Sequence, residues 1–427
     1  MDGTSIVRRP PFGTNPLVGE RGSDTQRRIL GAALDVFAEV GFNETRVELI
    51  TERAGCSRPA FYQYFSSKDD VFWKLAAELG HEMVELGDQL DTVTPDADGV
   101  ASLAAWIDEF TTLYATYSPV FSAFQAASRD HEPLARGSSS ISDRLGTALL
   151  HGFEVHGHGT RPAKMATGLV AVLIRCSFYW ESIPGALPRE RLIDGLAQFV
   201  HRLFIGPIEG VNLPSPTTRR RPQPAEPPVV IPTSDHGRAL RPRGEQTRQR
   251  LLEAGTKVLP TRGYHDARVD DIVEVAGVSH GSFYRYFDNK DDFFRVLAEQ
   301  ASRRMIELLG AFPDDGDADA LRRWLEDWFA TYESNGWVIS TWQEMHSSEP
   351  TLVEFGQQVA AAVLARLMDV LDERGFGDPM VDALALLALI ERIPYSVFTL
   401  GFTAQSDAIE AMVTIIRRGL MGLPDDT

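Results

Sequence analysis

The ten residues FYQYFSSKDD at 61–70 return as FYRYFDNKDD at 283–292. A shift of 222 positions (283 − 61) extends the match without a gap from Thr25/Thr247 to Glu78/Gln300. Roughly 40% of those positions are identical, and self-similarity on this scale means one structural unit written twice. The shared residues include Gly41/Gly263, Val47/Val269, Ile50/Ile272, Ala54/Ala276, Gly55/Gly277, Ser57/Ser279, Phe61/Phe283, Phe65/Phe287 and Lys68/Lys290. Past this block the identity fades while helical rhythm continues in both copies. The chain therefore reads as two halves, 25–205 and 246–424, and its 427 residues are too many for a single core. Between them, residues 206–245 are rich in Pro and Arg and lack helical periodicity, which predicts an extended or disordered linker. Residues 1–24, with Arg8, Arg9 and Arg21, read as a similar basic arm.

Composition narrows the class. The apolar fraction of 43% is ordinary for a soluble globular protein. No apolar run approaches the ~18 residues of a membrane span, and the N-terminal segment has no secretory h-region, so a cytoplasmic protein without a membrane partner is expected. The two cysteines, Cys56 and Cys176, make neither a disulfide framework nor a metal-ligand pattern. No cofactor is expected. The net charge of −18 counts only weakly against nucleic acid, because binding depends on local faces.

Within the first copy Ile29, Ala33, Val36 and Phe37 recur at helical spacing, ending near Gly41. Thr45 reads as the N-cap of a second helix with Val47, Ile50 and Ala54 as its buried stripe. Gly55 supplies a tight turn. Ser57 caps a short third helix on which Phe61 and Phe65, one turn apart, face inward and leave Arg58, Pro59, Ala60 and Gln63 outward. Helix, Gly-containing turn and short helix describe a helix-turn-helix, whose second helix enters a major groove with its N-terminal residues at base edges.

The run Ala54-Gly55-Cys56-Ser57, then Tyr62-Gln63-Tyr64-Phe65 and Lys68, resembles the DNA-binding end of the TetR family of bacterial transcription regulators. The second copy fits more closely at the turn: Ala276-Gly277-Val278-Ser279, then Tyr284-Arg285-Tyr286-Phe287 and Lys290. The resemblance implies an all-α fold of two units. Each has a three-helix DNA-binding domain (25–70 and 246–292) followed by a helical ligand-binding and dimerisation domain (71–205 and 293–427). It also implies that Tyr62, Tyr284, Lys68 and Lys290 touch phosphate. Thr45, Arg46 and Arg268 would lie near the DNA backbone. Around the third helices Ser57, Arg58, Pro59, Ala60, Gln63 and Tyr64 would face DNA in one copy, and Ser279, His280, Gly281, Ser282, Arg285 and Tyr286 in the other. Gln suits adenine and Arg suits guanine through paired hydrogen bonds, so unlike readers predict a non-palindromic site.

Two departures point to a weaker or altered second reader, while the outward basic face of His280, Arg285 and Lys290 favours a working one. Pro260 stands where the first copy has Ala38, and an interior proline kinks or ends a helix. Ala267 replaces Thr45, and losing an N-cap costs about 0.5–2 kcal/mol.

Downstream, helices are predicted at 71–90, 99–117, 119–130, 139–156, 162–182 and 188–205, echoed at 317–334, 336–347, 351–374, 379–402 and 405–421. Phe121, Phe124, Trp337, Trp342 and Met345 fall where the family places pocket walls, although plain core packing explains them as well. Arg175, Glu391 and Arg392 interrupt apolar helices. Buried charge requires pairing, with each other or with a ligand. The family's last two helices pair subunits, and here both sets lie in one chain. A flexible linker of ~40 residues spans ~35 Å, close to the ~34 Å between successive half-sites, so the halves are expected to pair as an intramolecular pseudo-dimer, with a further homodimer of whole chains left open.

These readings lead to a repressor of transcription that binds double-stranded operator DNA and is released by a small apolar ligand. The alternative is a ligand-binding or protein-interaction module with a vestigial second reader. No nucleophile–base pair, metal spacing or phosphate loop suggests an enzyme. The histidines His151, His156 and His158 lie on a Gly-rich stretch, HGFEVHGHG, without a carboxylate constellation, and read as a surface loop or helix end.

Overall fold

The computed structural model describes residues 20–128, 144–153, 160–182, 187–208, 241–264, 266–338, 350–372, 377–399, 401 and 403–424. The linker between 209 and 240, most of the N-terminal arm, and His156 and His158 lie outside the described residues. Among the described residues there is no strand, and the all-α expectation holds.

The first copy begins with α1 (Glu20–Glu44), α2 (Val47–Ala54), α3 (Arg58–Tyr64) and α4 (Lys68–Asp88). It continues with α5 (Ala97–Ser128), α6 (144–152), α7 (Thr160–Ser182) and α8 (Arg189–Phe204). The second supplies α9 (Pro242–Arg262), α10 (Val269–Ala276), α11 (His280–Phe283), α12 (Lys290–Leu309) and α13 (Ala318–Asn335). Then come α14 (Pro350–Asp372), α15 (Pro379–Phe398) and α16 (Gln405–Ile415), which runs into a π-helical turn at Ile416–Leu420.

Three helices, α5, α9 and α15, run through prolines, and in α5 and α15 a side chain supplies the donor that the proline lacks. The helices expected at 99–117 and 119–130 are one helix, α5. Pro119 cannot donate to the Ala115 carbonyl, and the Ser118 hydroxyl donates to it instead at 3.4 Å. Pro394 inside α15 likewise leaves the Ile390 carbonyl without its helical donor. The Trp328 indole N–H supplies one at 2.7 Å.

The chain divides into two compact units, Met1–Leu86 with Thr112–Ile141, and Gly87–Thr111 with Ser142–Thr427. The division cuts across the sequence repeat, because α7 and α8 belong with the second half. In the first unit α1, α2 and α3 close on Ile29, Val36, Phe37, Ile50, Phe61, Phe65 and Phe72, all buried. The Tyr117 hydroxyl donates to Glu82 at 2.7 Å, fixing α5 to α4.

In the second unit α9, α10, α11 and α12 repeat this arrangement, and α12 packs on α13 and α14. The unit is dominated by a bundle in which α7 lies along α15 and also meets α16. In the same bundle α8 packs on α15 and on the π turn. Small residues let these helices approach. A Cβ on Gly195 of α8 would stand 2.7 Å from Val381 of α15, and one on Gly419 would stand 2.5 Å from the Phe199 ring of α8. The bundle is thus built from the last two helices of each sequence half.

Candidate nucleic-acid interface

The backbone of the reader is written twice with little change. Gly41 has φ 78 and ψ 160, and Gly263 has φ 75 and ψ 163. Gly55 has φ 61 and ψ 40, and Gly277 has φ 62 and ψ 42. Left-handed backbone admits glycine with little strain, so these four glycines set both the exit from the first helix and the turn between the reader helices.

In the first copy Ser57 caps α3 by accepting from the Ala60 N–H at 3.3 Å, and Pro59 occupies the first turn, where its missing N–H costs nothing. Phe61 is fully buried, and its ring lies 5.8 Å from that of Phe65. Burying these two leaves Ser57, Arg58, Pro59, Tyr62 and Gln63 exposed, with Ala60 and Tyr64 half-buried. Tyr62 is 49% exposed and its counterpart Tyr284 is 51% exposed, far more than packing would leave an aromatic ring. In the second copy Ser279, His280, Gly281 and Arg285 are exposed, and Ser282 and Tyr286 are half-buried.

The second reader helix is shorter, at four residues against seven in α3. Gly281 and Ser282 replace Pro59 and Ala60. Glycine is a poor helix former, and the Ser279 hydroxyl is 2.8 Å from the Ser282 hydroxyl instead of capping a backbone N–H. The other expected weaknesses are offset. The helix α9 runs through Pro260 to Arg262. The Asp271 carboxylate accepts from the Arg268 N–H at 2.8 Å, supplying α10 with a cap that the first copy, with Leu49 there, lacks. The Arg250 guanidinium on α9 donates to the carbonyls of Ala276 at 2.5 Å and Gly277 at 3.0 Å, closing the other end of α10.

Three sequence expectations need correction. Thr45 is not an N-cap: α2 starts at Val47 with Arg46 at the cap position. The Thr45 hydroxyl donates to the Gly41 carbonyl at 2.6 Å, and the residue is only 3% exposed, with nothing left for DNA. Arg46 and Arg268 remain exposed at the starts of α2 and α10. Lys68 and Lys290 do not stand free for phosphate. The Lys68 ammonium donates to the carbonyls of Phe42 (2.7 Å), Asn43 (2.9 Å) and Thr45 (3.0 Å), and lies 4.7 Å from the Phe42 ring centre. Lys290 repeats this with Tyr264 (2.7 Å) and Ala267 (3.2 Å), 4.4 Å from the Tyr264 ring. Burial lowers the Lys68 pKa, with Asp69 and Glu44 acting in the opposite direction. The lysine is a staple that fixes the turn after the first helix to the start of the fourth.

Two acidic residues escaped the sequence reading. Glu48 pairs with Arg58 at 2.7 Å, and Asp270 pairs with His280 at 3.2 Å. They occupy equivalent positions, so each copy holds the first residue of its reader helix against an acid on the preceding helix. The available clue was that both copies carry an acid ten positions before a basic residue.

Two of the proposed pocket residues have described side chains, one in each unit. Phe121 stacks on Tyr114 at 4.9 Å, and Trp337 meets Phe294 edge-on at 6.0 Å. Trp342, Met345 and the Phe124 side chain lie outside the described residues. Of the two readings for Arg175 and Glu391, the structure shows the ion pair: they are each other's partners, at 2.8 Å, with the Tyr179 hydroxyl 3.1 Å from the guanidinium. Burial works against charge on Arg175, but Glu391 and Tyr179 outweigh it and hold its pKa above the ordinary arginine range. Arg392 lies 4.7 Å from the Tyr395 ring. Burial, reinforced by Arg175, lowers its pKa despite Tyr395, Tyr332 and Glu391. Among the described residues, no helix is long and apolar enough to cross a membrane.

Comparison with known proteins matches both readers. The family described as bacterial regulatory proteins, tetR family, matches residues 29–74 and again 251–297. The helix-turn-helix-type transcriptional regulator YdgC of Bacillus subtilis is 38% identical over 69 residues, covering 16% of this chain and 35% of that protein. The chain therefore spans about a third of that relative's length. The regulator EthR of Mycolicibacterium smegmatis is 28% identical over 155 residues, 35% of this chain and 71% of that protein. The crystal structure of a TetR-like transcriptional regulator from Rhodococcus sp. RHA1 aligns with TM-score 0.34 and 24% identity, over 43% of this chain and 98% of that one. The repeated glycine turns, the inward phenylalanines and the double family match lead to one assignment: the chain carries the DNA-binding domain of the tetR family of bacterial regulatory proteins twice, at residues 29–74 and 251–297.

Proposed function

We propose that the protein is a sequence-specific DNA-binding transcriptional regulator whose two halves pair within one chain and read two unlike half-sites. The observation that carries this reading is the pair of exposed reader faces on one repeated backbone. One offers Arg58, Pro59 and Gln63, and the other His280, Gly281 and Arg285. A two-fold operator would be matched by identical readers. Unlike readers favour an asymmetric one. The bundle of α7, α8, α15 and α16 supports pairing of the halves.

Regulation would come from a small apolar ligand held in one or both helical bodies, which would release a repressor from its operator. Such a ligand acts only by binding one arrangement of the readers better than the other. Its effect on DNA affinity must equal the effect of DNA on its own affinity.

Selection of bound duplexes from a random pool, followed by footprinting, tests the reading. A non-palindromic site with two half-sites is the expected outcome, and a perfect palindrome contradicts it. Arg285→Ala should cost about 1–3 kcal/mol on the selected site and relax one base position. The four-residue α11 favours a second reading, in which the second reader is vestigial. In that case Arg285→Ala leaves affinity unchanged while Gln63→Ala does not.

A further inference from the structure

The bundle formed by α7, α8, α15 and α16 joins the halves through ion pairs of one polarity. Arg175 meets Glu391 at 2.8 Å, with side chains 8% and 10% exposed. Arg202 meets Asp382 at 3.1 Å, with side chains 4% and 0% exposed, and its Nε donates to the Gly419 carbonyl at 2.9 Å. Arg191 forms a two-pronged pair with Asp378, one prong at 3.0 Å. In all three the cation comes from the first half and the carboxylate from the second.

The two sets of helices align with a shift of 216 residues, the separation of Arg175 and Glu391. Leu173-Ile174-Arg175 and Tyr179 then match Leu389-Ile390-Glu391 and Tyr395, and Arg202 and Gly206 match Arg418 and Gly422. Gly206 and Gly422 both have positive φ, which supports the register. Arg175 and Glu391 are therefore counterparts, and each touches its own equivalent across the bundle. In a two-fold interface a residue on the axis faces itself. If two first halves paired in this geometry, Arg175 would face Arg175. If two second halves paired, Glu391 would face Glu391.

The other pairs act in the same direction. The counterpart of Asp382 is Ala166 and that of Asp378 is Pro162, so a pair of first halves would leave Arg202 and Arg191 facing uncharged residues. The counterpart of Arg191 is Asp407, so a pair of second halves would set Asp407 against Asp378. Removing one member of a buried ion pair leaves an uncompensated charge, and like charges in contact disfavour a partner strongly. Replacing the buried pairs by apolar residues need not weaken a bundle, so their presence is better explained by choice of partner than by strength.

We propose that the α7–α8 face is a receptor specific for α15–α16 of the second half and is closed to a second copy of itself. The residues that set this choice are Arg175, Arg191 and Arg202 on one side and Glu391, Asp378 and Asp382 on the other. The proposal rests on the halves pairing within one chain.

The test starts from the folded full chain with a protease site inserted between residues 209 and 240. The chain is cut, incubated and weighed intact by native mass spectrometry. One-to-one mixed complexes should exceed like-with-like pairs by at least ~100-fold. Arg175→Gln with Glu391→Gln keeps a polar pair that can hydrogen-bond and removes both charges, and like pairs should rise about tenfold or more. Should that buried variant fold poorly, Arg191→Asp sets two carboxylates together at the half-exposed pair. It should weaken mixed pairing, and adding Asp378→Arg should restore it. Like pairs as abundant as mixed ones in the wild type overturn the proposal. So does a mixed excess unchanged in every charge variant. Halves that separate after cutting overturn the pairing reading itself.

Discussion

The Lys68 ammonium lies 2.7 Å from the carbonyl oxygen of Phe42 and directs its other N–H groups to Asn43 and Thr45. Those carbonyls lie past the left-handed Gly41, where the chain leaves the first helix, and the Phe42 carbonyl also accepts from the Thr45 N–H at 3.3 Å. One side chain therefore closes the first helix and fixes the reader to α4. Lys68→Met keeps the length and loses all three bonds. It should destabilise the first unit by about 1–3 kcal/mol in urea melts. It should weaken all DNA sequences alike through that loss of order, with no change in the dependence of affinity on salt. A phosphate contact would instead reduce the salt slope by about one. A reduced slope in an otherwise stable variant would return the residue to the DNA surface.

The contrast between Lys68 and Phe61 shows what the sequence made legible. Phe61 and Phe65 announce themselves by helical spacing, and Gly55 by a turn that needs positive φ, because both are local properties of the chain. The work of Lys68 depends on carbonyls more than twenty residues earlier, which no local pattern reveals. The charges of Arg175 and Glu391 inside apolar runs signalled that partners were needed. That the partners were each other, 216 residues apart, became visible only in the bundle. Prolines misled in the same way. A boundary is expected beside Pro119, between 99–117 and 119–130, yet α5 runs through it, with the Ser118 hydroxyl donating to the Ala115 carbonyl.

The second reader can be rebuilt toward the first. Gly281 sits in the first turn of α11 with open space around its Cα, at the position of Pro59. Gly281→Pro fixes a conformation that α3 already adopts, and reduces the entropy of the unfolded chain. It should raise stability by about 0.4–1 kcal/mol in thermal melts and tighten binding at one half-site only. A loss of stability would show that α11 needs the freedom of glycine.

Glycine in the bundle has the opposite role. A Cβ at Gly195 would stand 2.7–2.8 Å from three atoms of the Val381 side chain, whereas one at Gly31 on the exposed face of α1 would meet nothing within 4 Å. Gly195→Ala should therefore destabilise the second unit by about 1–3 kcal/mol through overpacking. Gly31→Ala should stabilise by up to about 1 kcal/mol through helix propensity. Equal effects in calorimetry would mean that α8 and α15 are not in close contact in solution.

The acid limb of stability should report the same interface through Asp378. Partial burial pushes its pKa up. The Arg191 guanidinium and the N–H groups of Val381 and Met380 outweigh that, and the net shift is downward. A carboxyl whose folded pKa lies below its unfolded value contributes stability above the unfolded pKa, about 3.9, and loses it as pH falls through the folded one. Asp378→Asn keeps an oxygen for the helix cap and removes the charge. Wild type should be more stable than this variant at pH 7 in urea melts, and the difference should shrink as pH falls from about 4 toward 2. A difference independent of pH would assign the contribution of Asp378 to its cap alone and leave Arg191 without an electrostatic part in holding α8 to α15.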